Sequence, residues 1–231
     1  MNSRNKLAEM PIRPLLYTMA VPLMLSLLVQ SLYNIVDSIF VARLSETALT
    51  AASLVYSIQF LMIAVGVGTA VGLNALLSRK IGEHKPEEAC RAATTGLFLM
   101  IFTSLIFSII GIFLSDTIAT KLAANSELQE LCKQYLSINL VYCWGIFLQT
   151  YAQRLLQAVG DTVLSMLSLI IGAVLNILLD VSATTVAFFG IYYKLQNFLM
   201  MPINGLGQAA IPIVGYNYGD KNYQRVQQTW K

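Results

Sequence analysis

Charged residues are scarce in this chain of 231 residues. They make up 12% of the sequence, whereas hydrophobic residues make up 56% and the mean hydropathy is +0.64. A soluble domain carries about 25% charged residues. The composition therefore excludes an ordinary soluble fold, and it points to a lipid bilayer as the main partner, with no nucleic acid expected.

Cysteine and histidine are also rare. Three widely spaced cysteines without a CxxC pair predict reduced packing residues rather than a disulfide framework or a metal site: Cys90, Cys132 and Cys143. The single histidine, His84, lies in a charged loop and is predicted to be solvated. Because the sequence also has no nucleophile–base set, metal cluster or phosphate loop, we predict that it is not an enzyme and carries no cofactor.

The remaining sequence is dominated by long uncharged runs, which cover 48–78, 92–115, 162–179 and 195–219. A membrane-spanning helix needs roughly 20 apolar residues. With two further runs that single polar groups interrupt, the pattern predicts an all-α polytopic membrane protein of about six spans. Their approximate bounds are 14–40, 47–79, 92–115, 134–158, 162–180 and 184–217.

The basic residues give these spans a direction. Eleven of the fifteen lysines and arginines lie in four segments, 1–13, 79–91, 154–161 and 220–231. Because positive charge concentrates in cytoplasmic loops, we predict a multi-pass plasma-membrane protein with both termini in the cytoplasm. Arg154, at the end of the fourth span, is predicted to be a snorkelling or loop charge.

Two acids, Asp37 and Asp180, lie inside otherwise apolar spans near their predicted outer ends. A carboxylate in a bilayer is costly unless it is paired, protonated or bound to a cation. Asn176 precedes Asp180 by one helical turn and shares its face. These residues predict a site for Na⁺ or for a shared proton. The alternative is that both acids merely face water at helix ends.

Further polar and small residues accompany this site. A polar stripe recurs at helical spacing on the first span and is predicted to line a cavity: Gln30, Tyr33, Asn34 and Asp37. Asn139 of the fourth span is another cavity-lining candidate, and Pro22 is predicted to bend the first span. In the second span, three glycines predict close helix packing: Gly66, Gly68 and Gly72.

An internal repeat relates two parts of the chain. Segment 47–83 aligns without gaps with 184–220, an offset of 137 residues, and both segments end on a glycine, an acid and a basic stretch. The identities are Thr47/Thr184, Tyr56/Tyr193, Gln59/Gln196, Gly68/Gly205 and Gly82/Gly219. A repeat unit of six spans would occupy roughly 200 residues. The shorter offset predicts that about two helices are missing at a junction between Asp180 and Thr185.

Several motifs together resemble the multidrug and toxic compound extrusion (MATE) transporters, especially the cation-coupled bacterial branch. They are MPIRPLLYTMAVPLMLSLLVQSLYNIVDSIFVARLSETALTA, GTAVGLNALLSRKIGE, RLLQAVGDT and GAVLNILLD, followed by VAFFGIYYKLQNFLMMPINGLGQAAIPIVGYNYGD. The resemblance implies a truncated or internally deleted form of the family's V of two six-helix bundles. Residues 1–180 would be helices one to five of the N-terminal bundle, and 181–231 would be helix eight with its following loop.

The resemblance also implies a function for the intramembrane acids. Asp37, Asn176 and Asp180 match the family's coupling residues for Na⁺ or H⁺, and Pro22 matches its first-helix proline. The implied activity is antiport, in which organic cations or drugs leave by alternating access. Here Val181 follows Asp180 where the family usually has proline, and helices six and seven are absent, so the activity is expected to be incomplete in this chain.

Two other interpretations remain open. The first is a lipid-linked oligosaccharide flippase of the same superfamily, which would need a broad cationic cavity that these sparsely charged spans do not favour. The second is a non-transporting membrane remnant or assembly subunit. The sequence leaves the substrate spectrum, the choice between Na⁺ and H⁺ and self-association undecided.

Overall fold

The structure is a computed structural model that describes residues 3–44, 46–180 and 190–229. Side chains are described in these ranges apart from 3–5, 33–44, 46, 49, 172–180 and 190–204. The described chain is helical throughout, with no strand, which confirms the all-α prediction. Its helices are α1 (Ser3–Glu9), α2 (Ile12–Leu44), α3 (Glu46–Gly82), α4 (Pro86–Leu122), α5 (Ser126–Val141), α6 (Trp144–Ala158), α7 (Thr162–Asp180), α8 (Gly190–Gly219) and α9 (Tyr223–Gln228).

Local sequence explains where several helices begin. Pro86 is the first residue of α4, a position where its missing N–H leaves no bond unmade. Asn125 caps α5 by accepting a hydrogen bond from the Leu128 N–H at 2.8 Å. Before α7, Gly160 adopts a φ of 84°, which a glycine tolerates, and Asp161 accepts from the Leu164 N–H at 3.1 Å.

The third and fourth spans differ from their predicted bounds. The loop predicted at 116–133 is mostly helical, because α4 continues to Leu122 and α5 already begins at Ser126. The fourth span is two helices, since Tyr142 and Cys143 interrupt it. Ser108 of α4 donates to the carbonyls of Leu140 at 3.4 Å and Val141 at 3.0 Å, which have no helical partner beyond the break.

Helix α3 is the centre of the fold. It runs parallel to the pair α5–α6, because Cys132 contacts the Ala51 carbonyl and Asn74 contacts the Arg154 carbonyl, at sequence separations of 81 and 80 residues. The main core cluster lies between α3, α4, α5 and α6. A second cluster joins α1 and α2 to α8.

Three of the described helices contain segments long and apolar enough to cross a membrane: Ile12–Leu32, Thr50–Gly82 and Pro86–Leu122. Large apolar side chains are exposed on these helices, for example Phe98 and Phe113 of α4. Apolar surface of this extent is expected where lipid is the solvent.

The four basic segments predicted from the sequence meet at one end of the molecule. Leu7 and Met10 contact Arg225, His84 contacts Asp220, and Ser78 contacts the Ala158 carbonyl. We call this the basic end. Helix α2 and helix α7 both begin there and pack against each other.

Candidate functional site

The predicted coupling residues lie on two helices that the fold brings together. Asp37 is in the distal part of α2, away from the basic end, and Asn176 and Asp180 are in the last turns of α7. Because α2 packs on α7, the helices that carry the acids are neighbours. The three side chains lie outside the described ones, so the site itself stays a prediction.

The cavity-lining candidates fall in different places. Gln30 is half-buried on α2, while the side chains of Tyr33 and Asn34 are outside the described ones. Asn139 donates its amide to the Tyr135 carbonyl at 3.0 Å, within its own helix α5. Helix α5 packs principally on α3 and α4, whereas α2 packs principally on α7 and α8. Asn139 is therefore not brought to the helix that carries Gln30.

Pro22 is a residue of α2, which continues through it from Ile12 to Leu44. Ser26, one turn later, donates its hydroxyl to the Pro22 carbonyl at 2.7 Å. A serine bonded in this way often bends a helix slightly. The bending role of Pro22 remains a prediction. The predicted junction, including Val181, lies outside the described residues.

Arg154 corrects the sequence interpretation. It is not a snorkelling charge, because its exposed fraction is 6%. Its Nη1 donates to Gln157 Oε1 at 2.9 Å, and Gln157 in turn donates to Ser165 Oγ of α7 at 3.2 Å. The Nε atom is buried without a hydrogen-bond partner among the described residues, as is Thr162 Oγ1.

The surroundings of Arg154 form a polar network at the basic end. The Asn74 amide of α3 donates to the Arg154 carbonyl at 3.2 Å, and Ser78 contacts Asn74 Oδ1 and the Ala158 carbonyl, both at 3.4 Å. With Gln157 and Ser165, the network joins α3, α6 and α7. Buried polar groups need such partners. The pattern of apolar residues did not predict the burial of Arg154, because the arginine lies at the end of an apolar span, where a charged side chain is expected to reach water.

The basic end also contains a close contact between α3 and α8 that is reciprocal. A Cβ added to Gly82 would collide with the Tyr216 carbonyl and lie 3.1 Å from the Asp220 nitrogen. A Cβ added to Gly219 would collide with the Arg79 carbonyl and lie 3.0 Å from the Glu83 nitrogen. Each contact becomes the other when 137 is added to or subtracted from the residue numbers.

A third contact locates the axis of this symmetry. A Cβ added to Gly215 would lie 3.1 Å from Ser78 Cβ, and these two residues are themselves 137 apart. A residue that touches its own repeat equivalent lies on a two-fold axis. We call this α3–α8 contact the seam. The seam confirms the register of the repeat, and it makes α3 and α8 parallel helices related by an axis along their length.

Hydrogen bonds from side chains stabilise the region on both sides of the seam. Arg225 of α9 donates to Asn217 Oδ1 at 2.8 Å and to the carbonyls of Leu7 and Met10 at 3.1 and 2.7 Å. A guanidinium suits this position because carbonyls at the end of a helix have no intrahelical partner. Burial lowers the pKa of Arg225, opposed by the Asp220 carboxylate.

Across the seam from Arg225 lies a cluster of charges around Glu83. The carboxylate is 2.8 Å from Arg79 Nε and 3.0 Å from Lys80 Nζ. These hydrogen bonds, Lys80 first and then Arg79, lower the pKa of Glu83 to about 2. His84 is exposed, as predicted, with its Nε2 3.3 Å from Asp220 Oδ1.

A family model described as MatE matches residues 22–182 and 180–231. The chain therefore belongs to the MatE family, the multidrug and toxic compound extrusion transporters, as its sequence motifs predicted.

Two curated relatives illustrate the family. One is the FAD transporter of Shewanella oneidensis, 23% identical over 180 residues, which are 78% of this chain and 40% of that protein. Another is the multidrug export protein MepA of Staphylococcus aureus, 24% identical over 162 residues, which are 70% of this chain and 36% of that protein. The chain thus spans about two fifths of the length of the curated relatives it matches.

Solved structures agree on the fold. A MATE transporter in complex with MaL6 superimposes with a TM-score of 0.89 at 19% identity, covering 97% of this chain and 69% of the other. A MOP superfamily transporter from Pyrococcus furiosus, whose binding pocket has reversed polarity, gives the same TM-score, identity and coverage. The fold of this chain is therefore that of a MATE transporter.

Proposed function

We propose that this chain is part of a secondary antiporter that exports organic cations, driven by Na⁺ or H⁺. Membership of the MatE family supports transport, and the packing of α2 against α7 supports a site that Asp37, Asn176 and Asp180 share. The single observation that carries the mechanism is the seam, which closes the molecule at the basic end while the predicted site lies at the opposite end of α2 and α7.

In this proposal, a cation or proton neutralises Asp37 and Asp180 and displaces the organic cation outward. Two unpaired carboxylates in a bilayer repel each other, so loss of their charge changes which arrangement of the helices is stable. The seam must then part so that the substrate can enter from the other side. Because α3 and α8 are repeat equivalents, the seam is a contact between the two halves of the transporter.

The test uses a full-length relative that carries residues 1–180 of this chain. We expect Asp37→Asn and Asp180→Asn each to reduce gradient-driven efflux of a cationic dye by at least about tenfold, because each removes the charge that the ion must neutralise. Asp116→Asn is the matched control, since Asp116 is an exposed acid that pairs with Lys133 at the end of α4 away from the basic end. Undiminished efflux in both site variants would refute the assignment.

The proposed topology places the basic end in the cytoplasm, and the cysteines provide a reporter. Cys90 is exposed close to the basic end, whereas Cys132 and Cys143 are buried. We expect a membrane-impermeant maleimide to label Cys90 in inverted vesicles and to leave it unlabelled in intact cells. A Cys90→Ser chain is the control, and labelling from outside intact cells would reverse the topology.

A second candidate substrate class follows from one relative. The Shewanella oneidensis protein transports FAD, an anionic dinucleotide rather than an organic cation. A counterflow assay distinguishes the two substrate classes. Counterflow of labelled flavin would exclude a cavity that depends on intramembrane acids to attract cations, whereas counterflow of a cationic dye alone would favour such a cavity.

A further inference from the structure

A charged cleft lies where α3 and α8 end, beside the seam. Its volume is about 460 Å³, and we call it the seam cleft. Its lining includes four cations and two tyrosines: Arg79, Lys80, Lys85, Lys221, Tyr218 and Tyr223. The apolar segment Thr50–Gly82 ends among these residues. The cleft is therefore at the level where a bilayer has its headgroups.

The repeat explains why one of these cations has no acidic partner. His84 and Lys221 are 137 residues apart, and they follow α3 and α8 with nearly the same backbone conformation, φ of 56° and 59°. Across the seam, His84 Nε2 lies 3.3 Å from Asp220 Oδ1. The equivalent contact would join Lys221 to Glu83, but two cations of α3 already hold the Glu83 carboxylate at 2.8 and 3.0 Å. Among the described residues, Lys221 makes no ion pair.

The cleft keeps a positive charge when its ion pairs are counted. Lys80 and Lys85 share the Glu88 carboxylate, at 2.6 and 3.0 Å, and Glu83 is the other acid beside them. Four cations thus face two carboxylates, which leaves two positive charges. The Asp220 carboxylate contacts His84 instead.

The donors that remain free belong to Arg79 and Lys221. Arg79 uses its Nε for Glu83, and its guanidinium lies 5.5 Å from the centre of the Tyr218 ring. Its two Nη atoms make no hydrogen bond within the part of the chain that the structure describes. A guanidinium presents such donors in a plane that matches two oxygens of a phosphate. The free groups of the cleft are therefore suited to an oxyanion.

We propose that the seam cleft binds the phosphate group of an anionic phospholipid. Lys221 and the Nη groups of Arg79 hold the phosphate oxygens, and the half-exposed rings of Tyr218 and Tyr223 lie at the depth that tyrosine prefers in a membrane. Basic pockets between membrane helices are suited to anionic headgroups. The inference rests on the seam and on these charges, and it is independent of ion coupling.

A lipid fits the cleft better than a soluble anion of the same chemistry. The acyl chains keep the phosphate at the membrane surface, so its effective concentration beside the cleft is high. A soluble phosphate has no such anchor, and it must compete with water for groups that are largely exposed.

A phosphate in the cleft touches both halves of the repeat. Arg79 belongs to α3 and Lys221 follows α8, and the contact between Gly82 and Gly219 lies between these two helix ends. A ligand that binds only when both groups are close together stabilises the closed seam. The lipid is thus expected to favour the arrangement in which the basic end is closed.

The test measures how much lipid the purified chain retains in detergent, by native mass spectrometry. The probes are dioleoyl-phosphatidylglycerol and dioleoyl-phosphatidylcholine, which has the same phosphate but no net charge. Lys221→Gln removes the unpaired charge, and Lys221→Arg restores it. Lys121→Gln is the matched control, because Lys121 is also exposed and unpaired among the described residues, in the last turn of α4 at the opposite end.

We expect the wild-type chain to retain phosphatidylglycerol in preference to phosphatidylcholine. Lys221→Gln should retain at least about fivefold less phosphatidylglycerol, whereas Lys221→Arg and Lys121→Gln should behave like the wild type. Equal losses in Lys221→Gln and Lys121→Gln would overturn the site in favour of unspecific attraction between charges. Equal retention of the two lipids by the wild type would overturn it as well.

Two further measurements identify the source of the phosphate and test the bridge. Inorganic phosphate should raise the melting temperature less than phosphatidylglycerol does; an equal rise that Lys221→Gln abolishes would make the ligand a soluble phosphate and the lipid assignment wrong. Hydrogen exchange of segments 79–84 and 216–221 should slow when phosphatidylglycerol is added to the wild type, but not to Lys221→Gln. Slowing in only one segment would refute a ligand that bridges the seam.

Discussion

Helices α3 and α8 are equivalent elements of the internal repeat, but their surroundings differ. Ala70 of α3 is 0% exposed beneath α4, α5 and α6, whereas its equivalent in α8, Gly207, is exposed. On the other face the order reverses, because Ile213 of α8 is 0% exposed and its equivalent Leu76 is 44% exposed. Outside the seam, at these two pairs of positions, each helix is covered where the other is bare.

The comparison shows which contacts belong to the repeat and which depend on the rest of the chain. The seam uses both helices equally, so it exists wherever the two are present. The faces beside the seam depend on neighbouring helices, and among the described residues only one face of each equivalent pair has such a neighbour. An apolar helix face left bare in this way suits contact with lipid, because large exposed apolar patches are rare on water-soluble monomers.

The largest effect should come from the seam itself. Gly82→Leu and Gly219→Leu each force a side chain into a carbonyl of the opposite helix. Overpacking of this kind costs about 3 kcal/mol or more. We expect both variants to lower the melting temperature in detergent, and by similar amounts because their contacts are reciprocal. A large decrease in melting temperature for only one variant would show that the two contacts are not equivalent.

Leucine substitutions at the two equivalent glycines beside the seam should have different effects on stability. Gly205→Leu is expected to destabilise the chain by about 1–3 kcal/mol, because the new side chain must displace Met24. Gly68→Leu should change stability by less than about 0.5 kcal/mol, since its side chain enters open space. Thermal unfolding of the pair in the same detergent measures the difference, and equal losses would mean that Gly68, like Gly205, is covered by a neighbour.

The third comparison concerns the two arginines that flank the seam. Arg225→Gln removes charged hydrogen bonds to the carbonyls of Leu7 and Met10, and we expect a cost of about 1–2 kcal/mol because the site is only half-buried. Arg79→Gln should cost less, since its side chain is 51% exposed. Hydrogen exchange of α1 is the specific readout. It should accelerate in the Arg225 variant and stay unchanged in the Arg79 variant.

The smallest effect is a pH dependence at Glu83. Its pKa is lowered from 4.5 to about 2 in the folded chain by hydrogen bonds from Lys80 and Arg79. A carboxyl with a lowered pKa stabilises the fold above its unfolded value and loses that contribution as the pH falls. The stability difference between the wild type and Glu83→Gln should therefore be constant above pH 4.5 and shrink towards pH 2. A difference that does not change with pH would contradict the ion pairs.

Much of this architecture could be predicted from the sequence. Uncharged runs gave the helices, and basic segments identified the end where Arg225, His84 and Ala158 meet. The offset of 137 residues gave the register of the seam. Gly82 and Gly219 could be aligned because each is followed by an acidic residue and then by a basic stretch. Motifs gave the family, which the match to residues 22–182 and 180–231 confirms.

Other features depended on tertiary contacts. Arg154 is buried where Asn74 of α3 and Ser165 of α7 complete a polar network with Gln157 of its own helix, and the sequence of α6 does not indicate the partners from α3 and α7. The interruption at Tyr142 and Cys143 itself contains no proline or glycine. Whether Asp37 and Asp180 share an ion depends on side-chain positions that neither hydropathy nor charge patterning determines.

Arg225 has a consequence for the order in which the protein is made. It binds the Leu7 carbonyl from a position 218 residues later in the chain. At a translation rate of roughly 5–20 residues per second, α1 waits about 10–40 s on the ribosome for the group that caps it. During that interval the helix carbonyls must rely on water or on lipid headgroups. The anchoring of the N-terminus therefore cannot precede the synthesis of residue 225, and it can report that synthesis has passed that point.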